Sequence, residues 1–528
     1  MEEAARMSWK RTLAFVIVAA LLGGYYYWYE VKGGEQRKAA EEAAQRLFQL
    51  KKEAIETVTL KHPKETIKLV KDPSAGWMLA EPVRAKAEQR TVDEVLEGLV
   101  EGKRERVVAE QAGNLADFGL SEPSLVVEAT VKDAAAPTVL QIGAQTPTLS
   151  GYYAREGEQA KVLMIPNSLQ AKFNKTVFNL RDKTVLAVDQ NQVKRLEVQH
   201  GEQLIAVEAG GDKEWKLVAP LEAKADKAKV TDLIGAINGA KVKEFIEETP
   251  QDLAKYGLNP PKWRLTFFLG DDRAEKTLLL GDEDTAKGGL NAKRSATDNV
   301  FLVDSKLAEK LPKEASDWRD RRLLAFKREA AEKVEIVAGD TTTEVVCVEN
   351  CGKIPDDRWR ITRPIEAKAD AVKVRTLLRN IEELKAKAFI SEAAADLAPY
   401  GLEAPAAQLR VWLKDTAEPI TVLVGRDDAE KEGAYVKVPD KPAVYLIDAR
   451  DRQDLVKQAR DLRDLKLLAF KARDVRKIEL ARPERDVVIE GDGETWSQVK
   501  PEKAKLDGYK VRSLLWKLED LEFKEEWP

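Results

Sequence analysis

At 528 residues the chain is too long for one ordinary hydrophobic core, so several domains are expected. Charged residues make up 34% and hydrophobic ones 44%, with a formal net charge of −4. That profile belongs to well-solvated globular domains and excludes both a disordered chain and a nucleic-acid-binding protein with a net basic field.

The first feature in chain order is an uncharged, mostly apolar run from Thr12 to Tyr29, TLAFVIVAALLGGYYYWY. As a helix it reaches about 27 Å, near the lower limit for crossing a bilayer. Trp9 at one end and Tyr25 to Tyr29 at the other fit aromatic belts, and Lys10 and Arg11, with Arg6 close by, favour an inside N-terminus. The bulky YYYWYE stretch is a poor signal-peptide cleavage site. The run is therefore read as an uncleaved single-pass anchor. Residues 1–11 are then a cytoplasmic N-terminus, residues 12–29 a transmembrane helix and residues 30–56 a juxtamembrane stalk helix carrying Leu47, Phe48, Leu50 and Ile55.

Beyond it the sequence repeats. Trp77, Trp215, Trp359 and Trp496 each stand five residues before a proline, namely Pro82, Pro220, Pro364 and Pro501. A charged stretch follows, then an apolar stripe at helical spacing: Val92, Leu96, Leu99; Val230, Ile234, Ile237; Val374, Leu378, Ile381; Val511, Leu515, Leu518. Further on, Phe118-Gly119-Leu120, Tyr256-Gly257-Leu258 and Tyr400-Gly401-Leu402 each precede a proline. These read as a helical turn stopped at glycine before an extended exit into a strand. Gly143, Gly281 and Gly425 are expected to end the strands TVLQIG, TLLLG and ITVLVG, and LRDKTVLAV, WRDRRLLAF and LRDLKLLAF to close each copy as a charged helix. The fold class expected is α+β, a transmembrane helix followed by tandem modules, three full and one half. The modules are residues 57–191, 192–329 and 330–473, with a C-terminal half module at 474–528.

The four tryptophans read as core anchors of the repeat, and the Arg181-Asp182, Arg319-Asp320 and Arg463-Asp464 pairs as helix-end or intermodule salt bridges. Cys347 and Cys351 lie in a stretch of the third module that is six residues longer than its counterpart in the second; a short disulfide in an oxidising compartment is the leading reading, free thiols the next. His62 and His200 occupy one position in successive modules, replaced by Ala338 in the third, and read as exposed turn residues. Asp271-Asp272 and Asp282 to Asp284 read as acidic surface turns, since Ala286 stands where a calcium loop needs a ligand. No phosphate loop, nucleophile elbow or zinc motif occurs, and no cofactor or metal is expected. Replaceable histidines and few serines give little to build catalysis from.

The order W-x4-P, charged linker, LLxxL-type helix, YGL-x2-P and a strand with glycine resembles the bacterial family grouped as domain of unknown function 4340. The resemblance covers nearly all of residues 54–528 and supplies no catalytic residues. It implies an envelope protein whose genes often lie beside those of gliding-motility-type ABC transporters, hence an auxiliary subunit with permease and ATPase partners. The expected function is a non-enzymatic, membrane-anchored extracytoplasmic scaffold presenting an extended repeat surface to protein or polymer partners. The expected location is a bacterial cytoplasmic membrane with the bulk of the chain outside the cytoplasm. The alternatives are an enzyme using carboxylates on envelope glycans, and a passive spacer.

Overall fold

The computed structural model of the protein describes residues 9–28, 45–132, 134–211 and 214–522. The chain divides into two compact units, residues 1–209 with 231–311 and residues 210–230 with 312–528. Antiparallel strands dominate it, in three sheets of nine and one of four.

The first sheet comprises β1 (Ile55–Lys61), β2 (Thr66–Asp72), β3 (Gly76–Glu81), β4 (Ala85–Lys86), β5 (Arg106–Ala109), β6 (Leu125–Val131), β7 (Thr138–Gln145), β8 (Gly151–Glu156) and β9 (Val162–Pro166). Its order is β4-β3-β2-β1-β6-β7-β8-β9-β5. The second has β10 (Val193–His200), β11 (Gln203–Ala209), β12 (Trp215–Ala219), β13 (Ala223–Lys224), β14 (Glu244–Glu247), β15 (Trp263–Leu269), β16 (Ala274–Asp284), β17 (Gly289–Arg294) and β18 (Val300–Asp304). In the first unit it runs β11-β10-β15-β16-β17-β18-β14, and β12 pairs with β13 in the second unit. The third has β19 (Ala331–Ala338), β20 (Thr341–Glu349), β21 (Arg358–Arg363), β22 (Ala367–Lys368), β23 (Ala388–Ser391), β24 (Ala407–Leu413), β25 (Ile420–Asp428), β26 (Gly433–Lys437) and β27 (Val444–Asp448). It repeats the order of the first. The small sheet is β28 (Lys477–Leu480), β29 (Val487–Gly491), β30 (Trp496–Lys500) and β31 (Ala504–Leu506).

Helices are few: α1 (Trp9–Tyr26), α2 (Gln89–Glu101), α3 (Asn167–Phe173), α4 (Val177–Leu180), α5 (Lys227–Gly239), α6 (Ala371–Glu382), α7 (Ala449–Leu455), α8 (Ala459–Leu462) and α9 (Gly508–Glu519). The repeated apolar stripe does form a helix each time. In α2 it buries Val92, Val95, Leu96 and Leu99, and in α6 Val374, Leu377, Leu378 and Ile381. Each such side chain contributes about 1.5–3 kcal/mol by leaving water. Asp226, Asp370 and Asp507 stand before α5, α6 and α9 and accept from the first free backbone N–H groups, satisfying donors that a helix cannot pair itself.

The expected α+β class is overturned, because the chain is mostly β. The reason lies in the closing segments. LRDKTVLAV and its counterparts contribute only the four-residue helical turns α4 and α8 or a 3-10 turn before them and then run extended, spending their apolar residues on docking. The transmembrane helix is overturned as well. Although α1 forms over the apolar run, among the described residues no helix is long and apolar enough to cross a membrane. Its 18 residues begin with Lys10 and Arg11 in the first turn and end with Gly23, Gly24 and two tyrosines, which dilutes the apolar stretch. Of the residues assigned to the cytoplasmic N-terminus and the stalk helix, 1–8 and 29–44 lie outside the described ones. Residues 46–54 are not helical in the α sense: Arg46 bridges to Lys103, Leu47 and Phe48 enter the first sheet's core, and Ile55 opens β1.

The glycines expected to end strands instead lie inside them, at bulges in β7, β16 and β25. The cause is a close approach. Gly119, Gly257 and Gly401 end short 3-10 turns at φ near +65°, and the carbonyl just before each faces the strand glycine. A Cβ on Gly143, Gly281 or Gly425 would lie 2.2, 2.0 or 2.2 Å from that oxygen. Gly281→Ala is therefore expected to cost about 1–3 kcal/mol through overpacking. Gly235→Ala, on an exposed face of α5 with open space around it, should stabilise by about 0.5–1 kcal/mol. Urea unfolding followed by tryptophan fluorescence distinguishes the two signs. Equal effects would mean that the bulge accommodates a methyl group.

Candidate functional site

The residues that stand out in the sequence are mostly placed inside the framework. Trp77, Trp215, Trp359 and Trp496 are 5%, 5%, 3% and 1% exposed. Each opens or nearly opens a strand whose neighbour then turns back over a proline. Trp359 donates from Nε1 to Asp357 at 2.7 Å, and Arg375 pairs with the same buried carboxylate. Cys347 and Cys351 form a disulfide, Cα–Cα 5.8 Å, at the β20–β21 hairpin. His62 touches the Lys175 carbonyl through Nε2 at 3.1 Å. His200 is more than a turn residue: it closes β10, and its ring stacks on Trp263 at 4.0 Å. Among the described residues no group of three or more His, Cys, Asp or Glu side chains is placed to hold a metal. Asp282 pairs with Lys262, and Asp284 caps its own turn.

The Arg-Asp pairs define a recurring joint. In the first unit the backbone of Asp182 donates to the Lys86 carbonyl at 2.9 Å and Glu88 donates to Leu180 at 2.8 Å, tying the connector to the first sheet's edge. Two residues later Val242 donates to Lys183 at 2.7 Å and Thr184 bridges to Lys241, tying it to the second sheet. The Arg181 guanidinium, 8% exposed, grips Glu248 with both terminal nitrogens at 2.5 and 2.9 Å and lies 3.6 Å from the centre of the Phe245 ring. Within the second unit the pattern recurs residue for residue. Arg319 pairs with Glu392 and lies 3.8 Å from the Phe389 ring centre, Asp320 donates to Lys224, and Ala386 to Arg321. Asp464 and Leu467 repeat the backbone links to Lys368 and Leu521. The segment after Gln45 is a further copy, since Leu47 donates to Gly102 and Arg104 to Gln45. This strap preceding every sheet escaped the sequence reading at residues 45–50. Its one signal there is the doublet Leu47-Phe48, aligned with Val185-Leu186.

Beside the first joint lies a cleft of about 700 Å³, wholly within the first unit. Its walls come from the residues around β4, the strap, β16 and the loop from β17 to β18. Arg294 crosses it, donating from Nε to the Val185 carbonyl at 2.8 Å and from Nη2 to the Thr184 carbonyl at 2.9 Å, with the Phe301 ring centre 4.7 Å away. Burial holds the Arg294 guanidinium below its ordinary value. Burial pushes the Asp182 carboxyl up, but hydrogen bonds from Thr184 and the charges of Lys86 and Lys241 outweigh it and leave it below the usual carboxylate range. Nothing in the sequence reading pointed to Arg294, Thr297 or Asn299, because none of them recurs.

Repeated antiparallel sheets joined by bonded straps define a tandem-repeat protein whose shared residues serve the framework. The model of a family described as domain of unknown function (DUF4340) matches residues 77–216, 215–350 and 359–525, and the chain belongs to that family. A comparison with curated proteins finds no match.

Two outcomes test the joint. Arg181→Ala is expected to destabilise the first unit by about 1–2 kcal/mol, less than a fully buried pair because Glu248 is 42% exposed. Urea unfolding checks it, with Glu248→Gln giving the smaller loss. Since the folded Asp182 carboxyl lies below 3.8, its contribution is present above that pH and is lost as pH falls through the lower folded value. Asp182→Asn should therefore flatten the decline in stability as pH falls below the ordinary carboxylate range. An unchanged slope would assign the acid sensitivity elsewhere.

Proposed function

We propose that this protein is a non-enzymatic bridging subunit that presents its repeated sheets to partners outside the cytoplasm. The carrying observation is the recurrence of the joint: Arg181 with Glu248 and Phe245 is matched by Arg319 with Glu392 and Phe389. The charged residues that a sequence search would offer for catalysis are spent on holding one sheet to the next. The disulfide between Cys347 and Cys351 supports an oxidising compartment. The resemblance to envelope proteins encoded beside ABC transporters supports a permease and an ATPase as partners. ATP is then hydrolysed by another chain, and this one supplies reach and surface.

Crosslinking in intact cells, followed by purification through a tag on this chain, tests the reading. Recovery of an ATPase and a permease together is the expected result. Repeated recovery of this chain alone, or cysteines that react as free thiols in fresh lysate, would count against the partners and the compartment respectively.

A further inference from the structure

We infer that the cleft beside the first joint is a binding site for a small solute with one compact anionic head, a carboxylate or a phosphate. This inference is independent of the bridging role.

Residues that hold the framework mostly recur from copy to copy, yet three side chains of the cleft do not, although one of them, Arg294, also ties down the strap through two of its carbonyls. Arg294 is replaced by Glu156 in the first copy and Val438 in the third, Thr297 by Gln159 and Lys441, and Asn299 by Lys161 and Ala443. All three line the cleft. Asn299 is 5% exposed, and among the described residues its Nδ2 has no hydrogen-bond partner and Thr297 Oγ1 has none either. A buried donor left without a partner costs stability, which the third copy avoids with alanine. Framework packing does not explain keeping it here.

Charge gives the ligand its sign. Of the five cleft cations, Arg181 is neutralised by Glu248 and Lys276 donates to the Ala187 carbonyl at 2.7 Å. Arg294 spends Nε and Nη2 on backbone carbonyls, which carry no formal charge, and Nη1 is left for another acceptor. Neither Arg294 nor Lys86 has a carboxylate within salt-bridge distance among the described residues. The other joints close the corresponding lysine, Lys224 on Asp320 at 3.8 Å and Lys368 on Asp464 at 2.6 Å. In the first joint that pair stays open. A partly buried guanidinium and an open lysine match an oxyanion, and Asn299 Nδ2 supplies a neutral donor in the same wall. Besides Glu248, the lining holds the carboxylates of Asp182, Glu275 and Asp298, and Asp182 lies close enough for its charge to act on both Lys86 and Arg294; together they disfavour a polyanion, so a single anionic head fits best. The volume lies in the range of small-molecule sites, roughly 300–1,000 Å³.

The test uses the full chain and a matched set of probes, glucose, glucuronate and glucose 1-phosphate, which separate the head group from the body. Titration calorimetry or ligand-observed NMR is expected to find glucuronate or glucose 1-phosphate bound at least about tenfold more tightly than glucose, and whichever is preferred names the head. Arg294→Val and Asn299→Ala install the residues of the third copy, so the sheet should keep its circular dichroism. Lys86→Gln leaves the backbone joint intact. Each should weaken the preferred probe by about tenfold or more, the loss of one charge-assisted or buried hydrogen bond. Equal binding of all three probes, no binding of either anion, or variants that bind like the parent would overturn the proposal.

Discussion

The arrangement rests on a short extended strap bonded on both flanks. Residues 181–188 have no slack: Asp182 is held to Lys86, and Lys183 accepts from Val242. A backbone segment buried between two sheets must find partners for its polar groups, and the strap finds them on either side. The side chains then add specificity. Arg181 reaches across to Glu248 over the face of Phe245, combining a two-pronged ion pair with a cation–π contact in one geometry. The strap's apolar residues Val185, Leu186 and Val188 are buried, so the connector is also core.

Much of this was legible in advance, for a physical reason. The tryptophans, the helical stripes and the glycine turns recur because each is needed at one place in the sheet, and recurrence filters out chance. Where the reading failed, it lacked a competitor. The segment LRDKTVLAV has helical charge spacing, but only the structure shows the two flanking edges that offer its backbone better partners than its own next turn. Residues 45–50 failed similarly: their charged surroundings hid the apolar doublet that enters the core. The apolar run at Thr12 reads as a span from its length and its aromatic ends, while the glycines and first-turn charges within α1 dilute it. The cleft was invisible because its side chains break the repeat, and a search tuned to recurrence passes over them.

That contrast separates two kinds of residue in one chain. Shared positions such as Asp226, Asp370 and Asp507 cap helices in every copy where they occur, and their chemistry is spent locally. Unshared polar groups at Thr297 and Asn299 are buried without a partner among the described residues, and cost solvation without a framework return. In a repeated architecture such departures are the more informative, since the neighbouring copies are built-in controls for what folding alone demands.

The hairpin bearing the disulfide has a practical corollary. Cys347 faces Trp359 across β20 and β21, as Lys71 faces Trp77 across β2 and β3, yet the third copy's loop is six residues longer. The extra length is tied down at several points: Cys351 is held by the disulfide, Asn350 donates to the Asp356 carbonyl at 3.2 Å, and Arg375, which pairs with Asp357, also donates to the Pro355 carbonyl at 3.3 Å. An epitope or fluorophore inserted between Asn350 and Asp356 would therefore disturb the seat of Trp359, and a label belongs on another turn.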